Sequence, residues 1–186
     1  MSEVSTPTPT YRIMRFKEED LDDVTSINRF SLPENYSSTF FLDLYRSHPE
    51  TFIVAKYNGK VVGYTMCRLE WGFSGVQRFK VARKCHIISI AVMPEHRMKR
   101  VATALMHAAL KAMSSHNCNE TFLEVRTSNS KAIALYEKLG YRMVRKIPGY
   151  YCDGEEAVVM GRALPIRSEE VAPMEGILDC TQEEKS

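Results

Sequence analysis

An α/β domain with a mixed sheet is what this sequence predicts, and three observations carry the prediction. Residues 121–141, TFLEVRTSNSKAIALYEKLGY, open with the β-branched and apolar character of a buried strand from Thr121 to Arg126. Ser128 and Asn129 are N-cap types, Ala132, Leu135, Tyr136 and Leu139 recur at helical spacing, and Gly140 ends the helix. A second stretch has the same order. His86 to Met93 is a nearly unbroken apolar run, as a strand covered on both faces requires, and Val101, Leu105, Ala109 and Met113 repeat every four residues. The third observation is Asn58-Gly59, a hairpin turn between the strand patterns at 51–57 and 60–70.

In chain order the reading is a strand at 11–16, helices near 18–30 and 38–47, the hairpin, and a mobile-looking loop at 71–80. The two strand–helix units follow. A final strand pair spans about 141–147 and 155–162, with Gly149 to Gly154 as its turn. A chain of 186 residues is long enough for one domain with a substantial core. We assign that domain to residues 11–164, with a flexible tail at 1–10. Residues 165–186 carry Arg167 and Lys185 against six acidic side chains and show no periodicity, so an acidic tail that is disordered or loosely docked is expected.

Net charge is +2, and with the acidic tail set apart the body is more basic than that figure suggests. A basic body suits an anionic ligand, but without a concentrated Lys/Arg run direct nucleic-acid binding is not expected. No apolar run reaches the roughly 18 residues of a membrane span, and Ser, Thr and Pro stand where a signal peptide would be apolar. A cytoplasmic location is therefore expected, without membrane contact. Five scattered cysteines without a Cys-x-x-Cys pair point to reduced thiols, not to a disulfide framework or a zinc cluster. Between the second strand pattern and its helix, Arg97, Lys99 and Arg100 form a cationic loop at a helix N-terminus, where free amides and the helix dipole attract phosphate.

The sequence resembles GNAT-fold acetyltransferases, specifically protein N-terminal acetyltransferases of the NatA type and their stand-alone archaeal counterparts. Arg97-Met98-Lys99-Arg100-Val101-Ala102 stands where the family has Arg/Gln-x-x-Gly-x-Gly/Ala, and Asn129, Ala132 and Tyr136 match its Asn-x-x-Ala…Tyr element. LPENY at 32–36, EWGF at 70–73 and GYYCDGE at 149–155 are similar to NatA-type segments. The resemblance covers about residues 11–164. It departs at Arg100, where the family has glycine, and an L-residue there carries a steric cost if φ is positive.

The resemblance implies a mostly antiparallel mixed sheet with helices on both faces, splayed between the central parallel strands at 86–93 and 121–126. Acetyl-CoA is the implied cosubstrate. Backbone groups of Ile90, Ala91 and Val92 would bond its pantetheine as a strand partner does, with a Val92 amide facing the oxyanion. Arg97, Met98, Lys99, Arg100, Val101, Ala102 and Thr103, with Asn129, Tyr136, Glu137 and Lys138, would complete its site.

Four side chains are candidates for chemistry. Glu124 is a carboxylate in an apolar strand and needs compensation, either as a base sharing a water with His86 or as a structural partner of Arg126 or backbone. A His and a Glu alone fall short of a usual zinc site, so no metal is expected. Glu34, read bare, is a solvated loop charge; the resemblance makes it the group that receives or orients the substrate α-ammonium, in a pocket shaped by Leu32, Pro33 and Tyr36. Tyr136, read bare, is core; the resemblance points its phenol at the thioester sulfur. Tyr150 and Tyr151 are either exposed turn aromatics or clamps on the peptide backbone.

The implied activity is acetyl transfer from acetyl-CoA to protein N-terminal α-amines by direct attack, including nascent chains at the ribosome, with any auxiliary subunit open. A lysine or small-amine acetyltransferase and a non-catalytic acyl-CoA-binding module are the alternatives.

Overall fold

The computed structural model describes residues 10–76 and 80–166, and the backbone of 178–179. Eight strands, β1 (Tyr11–Arg15), β2 (Phe52–Tyr57), β3 (Lys60–Phe73), β4 (Val81–Val92), β5 (Glu120–Arg126), β6 (Arg142–Ile147), β7 (Ala157–Ala163) and β8 (Leu178–Asp179), form one sheet in the order β6-β7-β5-β4-β3-β2-β1-β8. Among the described residues four α-helices accompany it: α1 (Leu21–Ser31), α2 (Ser38–Ser47), α3 (Val101–Ser115) and α4 (Ser130–Lys138). Both predicted strand–helix units are present, and the hairpin turn falls at Asn58 and Gly59, each with positive φ as that turn requires.

Side-chain alternation sends the two sheet faces to different helices. Cys67, Cys85, Ile87, Leu123 and Met160 pack against Met106, Leu110 and Met113 of α3 and Tyr136 of α4. On the other face Val54, Tyr64, Met66 and Ala91 pack against Val24 and Ile27 of α1 and Phe41 and Leu44 of α2. Helices on both faces of a mixed sheet are the architecture the sequence predicts. Gly63 keeps α3 close to β3: a Cβ there would sit 3.0 Å from the Ala91 carbonyl oxygen and 3.3 Å from Leu105.

The central pair is the informative one. β4 and β5 run parallel and are paired only at Lys84↔Glu120, Cys85↔Thr121 and His86↔Phe122. Beyond that point β4 continues to Val92 and β5 to Arg126 without pairing, so the sheet opens into a wedge. On its other side β4 stays paired with β3, but Met66↔Ser89 is followed by Cys67↔Ile87, leaving Ile88 as an extra residue. Such a bulge bends the strand and so turns β4 away from β5.

One expectation is corrected. The loop expected at 71–80 is shorter at its start: Trp71, Gly72 and Phe73 belong to β3, and β4 starts at Val81. The buried Glu120 carboxylate fixes the hairpin tip, accepting from the Ser74 hydroxyl and from the amides of Gly75 (2.8 Å) and Val76 (3.3 Å); residues 77–79 lie outside the described residues. The acidic tail is not without structure throughout, because Leu178 and Asp179 pair parallel with β1, whose outer edge offers a strand its free backbone groups. Residues 1–9 and the rest of the tail beyond 166 lie outside the described residues.

Candidate active site

His86 ends the paired segment of β4 and Glu124 lies just past the last paired residue of β5, so both side chains stand where the wedge begins. Their placement in the sequence permits a water shared with an incoming amine. The two side chains also touch directly, with His86 Nε2 2.5 Å from Glu124 Oε2, and they are only 14% and 13% exposed. The imidazole is fixed from one side by Phe122, stacked at 4.3 Å and 10°. A shielded His–carboxylate pair of this kind can hold and pass a proton. Arg126, the structural partner weighed for Glu124, bonds elsewhere.

Arg126 is the hub of an ion network. Its Nη2 donates to Glu34 Oε1 at 2.7 Å, and its Nη1 donates to Asp153 (2.7 Å) and Glu155 (2.8 Å). Its guanidinium also lies 3.9 Å over the Tyr151 ring. The loop at 32–36 and the turn between β6 and β7 are thereby tied together across the end of β5. Bonds from Ser128 and from Arg126 hold the Glu155 carboxyl down at about 2, and the Glu155 amide and Arg126 lower Asp153. Glu34, expected to receive or orient an ammonium, has one carboxylate oxygen held by Arg126.

The loop's shape is set from α1. Asn28, 1% exposed, donates to the Glu34 carbonyl (3.2 Å) and the Tyr64 hydroxyl (3.0 Å), and accepts from the Tyr36 amide (2.9 Å). Leu32 and Tyr36 lean on the apolar cluster under α1 and α2, and Pro33 is exposed. Burial and then the nearby Glu34 and Glu124 raise the Tyr36 phenol; burial and the same carboxylates, with Tyr36, raise Tyr150. Glu34 and Glu124 thus lie near enough to both Tyr36 and Tyr150 to act on their phenols, and Tyr151 stands edge-on to Tyr150 at 5.0 Å.

At the far end of β4 the predicted anion loop has an unusual backbone. Met98 and Arg100 adopt φ of 59° and 61°, a left-handed conformation that costs an L-residue about 1–2 kcal/mol. Among the described residues no side chain caps α3, which leaves its first amides for a ligand. Val101 itself is buried, whereas Ala102 and Thr103 are half-buried. Arg97 differs from expectation: its Nε donates to the Val92 carbonyl at 2.9 Å, so that carbonyl is used within the loop, and Ile90, Ala91 and Val92 offer the remainder of the unpaired β4 edge. Lys99 and Arg100 are exposed.

Asn129 also has a structural task, since its side chain caps α4 by accepting from the Ala132 amide at 3.2 Å. Tyr136 is 6% exposed, its hydroxyl makes no hydrogen bond among the described residues, and burial pushes its phenol up to about 12. Its proton is therefore available to a ligand. Thr103, Glu137 and Lys138 meet in one groove of about 410 Å³ between α3 and α4. A free strand edge, an uncapped cationic helix start and a spare buried phenol together fit a long anionic thioester.

Sequence reasoning missed Arg126 and Asn28 as site residues. Asn28 leaves a signal, a polar residue in the apolar stripe of Val24 and Ile27; Arg126 leaves none, because its partners are remote in sequence.

Comparison with known proteins agrees. Residues 21–141 match the Acetyltransferase (GNAT) family. The chain is 44% identical over 156 residues to an N-alpha-acetyltransferase of Saccharolobus solfataricus, covering 83% of this chain and 93% of that protein. It is 37% identical over 157 residues to the N-terminal acetyltransferase A complex catalytic subunit NAA10 of Arabidopsis thaliana, covering 82% and 77%. The crystal structure of Ard1 from Thermoplasma volcanium superposes with a TM-score of 0.74 at 32% identity, over 84% of this chain and 99% of that one. With a family match across both strand–helix units and relatives of this similarity along most of its length, the chain belongs to the GNAT acetyltransferase family.

Proposed function

We propose that this protein transfers the acetyl group of acetyl-CoA to the α-amine of protein N-termini. The carrying observation is the Arg126 bridge, which joins the 32–36 loop to the β6–β7 turn over the mouth of the wedge. A bridged mouth admits a chain end, whereas a lysine within a continuous chain needs an open groove. The names of the similar proteins, N-alpha-acetyltransferase and NAA10, support the same activity.

When bound, acetyl-CoA supplies an activated acyl thioester. The amides at the start of α3, with Lys99 and Arg100, hold its phosphates, and the unpaired edge of β4 from Ile90 to Val92 aligns its pantetheine. Thr103, Glu137 and Lys138 line the outer groove. Leu32, Pro33, Tyr36, Tyr150 and Tyr151 close around the peptide, and Glu34, fixed by Arg126, orients the incoming amine. Its proton passes to the Glu124–His86 pair. A peptide α-ammonium ordinarily titrates at about 7.7–8.0, so near neutrality this asks little of the base. Tyr136 donates to the departing thiolate, the task open to a phenol that stays protonated. No covalent enzyme intermediate is required.

We further propose that the substrates include nascent chains at the ribosome, in the cytoplasm, where thiols such as the buried Cys67, Cys85 and Cys118 stay reduced. The test is incubation with acetyl-CoA and peptides carrying free or blocked N-termini, read by mass spectrometry. We expect acetylation at free α-amines, with Ser, Ala and Thr among the good first residues. Modification of internal lysines alone would overturn the reading.

A further inference from the structure

The chain between β4 and α3 is pinned at both ends to one patch of the molecule. At its start, His96 Nδ1 lies 3.0 Å from the hydroxyl of Tyr11 in β1, and its ring packs edge-on to Tyr11 at 5.7 Å and tilted on Tyr57 of β2 at 5.3 Å. Tyr11 is 1% exposed, so its hydroxyl is a fixed point. The backbone is drawn tight there, with the His96 amide donating to Met93 (2.9 Å) and the Arg97 amide to Pro94 (3.1 Å). At its end, Val101 is buried in the cluster that also holds Tyr11, Val92 and Leu105. Only Arg97 to Arg100 remain to leave this patch and return to it, and within that span Met98 and Arg100 take positive φ.

Non-glycine residues keep such a backbone only where their surroundings over-determine it. We propose that His96, held by Tyr11, is a positioning residue that keeps the loop at 97–102 in its anion-binding shape, resting on the reading of that loop as the acetyl-CoA site. His96 contributes no group to the ligand. Its contribution is the population of the competent loop, and an apparent dissociation constant rises in proportion as that population falls. The strain at Arg100 makes the anchor necessary, because released from it the loop relaxes to an ordinary conformation with its amides turned elsewhere.

The test is calorimetric titration of the full chain with coenzyme A, paired with thermal unfolding to confirm the fold. His96→Ala and Tyr11→Phe should each weaken binding about tenfold, as follows if the competent loop falls to about a tenth of the population. His96→Asn, whose amide can donate or accept at the Nδ1 position, should restore affinity to within about twofold. With a saturating peptide, the KM for acetyl-CoA should rise in step while kcat changes by less than about threefold. The decisive measurement is the coupling to Arg100: in an Arg100→Gly background, where positive φ at position 100 is no longer strained and Met98 alone keeps its cost, the loss from His96→Ala should shrink to about threefold. Undiminished affinity in Tyr11→Phe, or an equal loss from His96→Ala in both backgrounds, would overturn the proposal. Arg100→Glu separates it from the reading beneath it: if charge reversal leaves coenzyme A affinity unchanged at low salt, the loop is not the coenzyme site; if it weakens binding while Tyr11→Phe does not, the site stands and the anchor fails.

Discussion

Glu34 and Arg126, 92 positions apart in the chain, meet at 2.7 Å, and this contact fixes the peptide loop over the end of β5. Arg126→Ala leaves Glu34, Asp153 and Glu155 as neighbouring carboxylates without a cation. We expect kcat/KM for peptide to fall about 10- to 100-fold, chiefly through KM, because the loss is one of substrate placement. Arg126→Lys should recover only part, since an ammonium cannot reproduce the guanidinium fork. Steady-state kinetics with a Ser-initiated peptide decide it, and an unchanged KM in Arg126→Ala would remove the bridge from substrate binding.

Glu124→Gln and His86→Ala break a proton-holding pair that is shielded from water. Each should lower kcat about 10- to 1000-fold, with coenzyme A affinity little changed. The double variant should be scarcely worse than either single one, as for residues that act as a unit. If turnover survives in both single variants, proton transfer belongs to another group, and Glu34→Gln becomes the informative substitution.

Tyr136 is held protonated up to about 12 by burial, so at working pH it can donate its proton but cannot serve as a base. Tyr136→Phe should lower kcat by only about 3- to 30-fold, because a thiol of pKa about 8.5 already leaves readily. Across pH 7–10 the wild-type kcat should show no downturn from this phenol. A downturn near pH 10 that disappears in Tyr136→Phe would contradict the role.

At Arg100, with φ of 61°, glycine relieves strain that alanine keeps. Affinity for acetyl-CoA should therefore rank arginine at least as tight as glycine and both tighter than alanine, with the arginine advantage fading as salt screens its charge. Binding titrations from low to high salt give the ranking. Alanine binding more tightly than arginine at every salt concentration would make Arg100 a steric burden alone.

Glu155 has an ordinary value of 4.5, lowered to about 2 in the folded protein, so the folded state favours its charged form. Its stabilising contribution is present above about pH 4.5 and is lost as the pH falls toward 2. The gap in Tm between wild type and Glu155→Gln should be steady above pH 5 and close on acidification. A gap that persists undiminished at pH 2.5 would show that the charge of Glu155 is not what stabilises the turn.

The parts of the fold legible in the sequence are those whose physics is local. Periodicity marks the two strand–helix units, Asn129 announces the α4 cap, and Asn58-Gly59 sets the hairpin. The extension of β3 to Phe73 is less legible because Ser74 and Gly75 read as loop residues until Glu120 reaches them from the start of β5. The pairing of Leu178 and Asp179 with β1 depends on an open sheet edge, which no local pattern reveals. In the site, residue types suggest His86 and Glu124, but their direct contact depends on how far β4 and β5 have parted where they stand. Arg126 escapes notice because a cation in a strand gives no hint of which carboxylates will surround it.

The three-residue ladder between β4 and β5 makes a seam of the sheet's centre, with β6, β7 and β5 on one side and β4, β3, β2 and β1 on the other. Away from the seam, backbone hydrogen bonds stitch neighbouring strands; across it, much of the cohesion falls to α3 and α4, whose side chains reach both halves. A molecule lying along the vacant edge would act as a suture, so saturation can be followed by melting as well as by turnover. At about 100 times the dissociation constant it would add about 2.7 kcal/mol to stability, and amide hydrogen exchange should slow on both banks of the seam together.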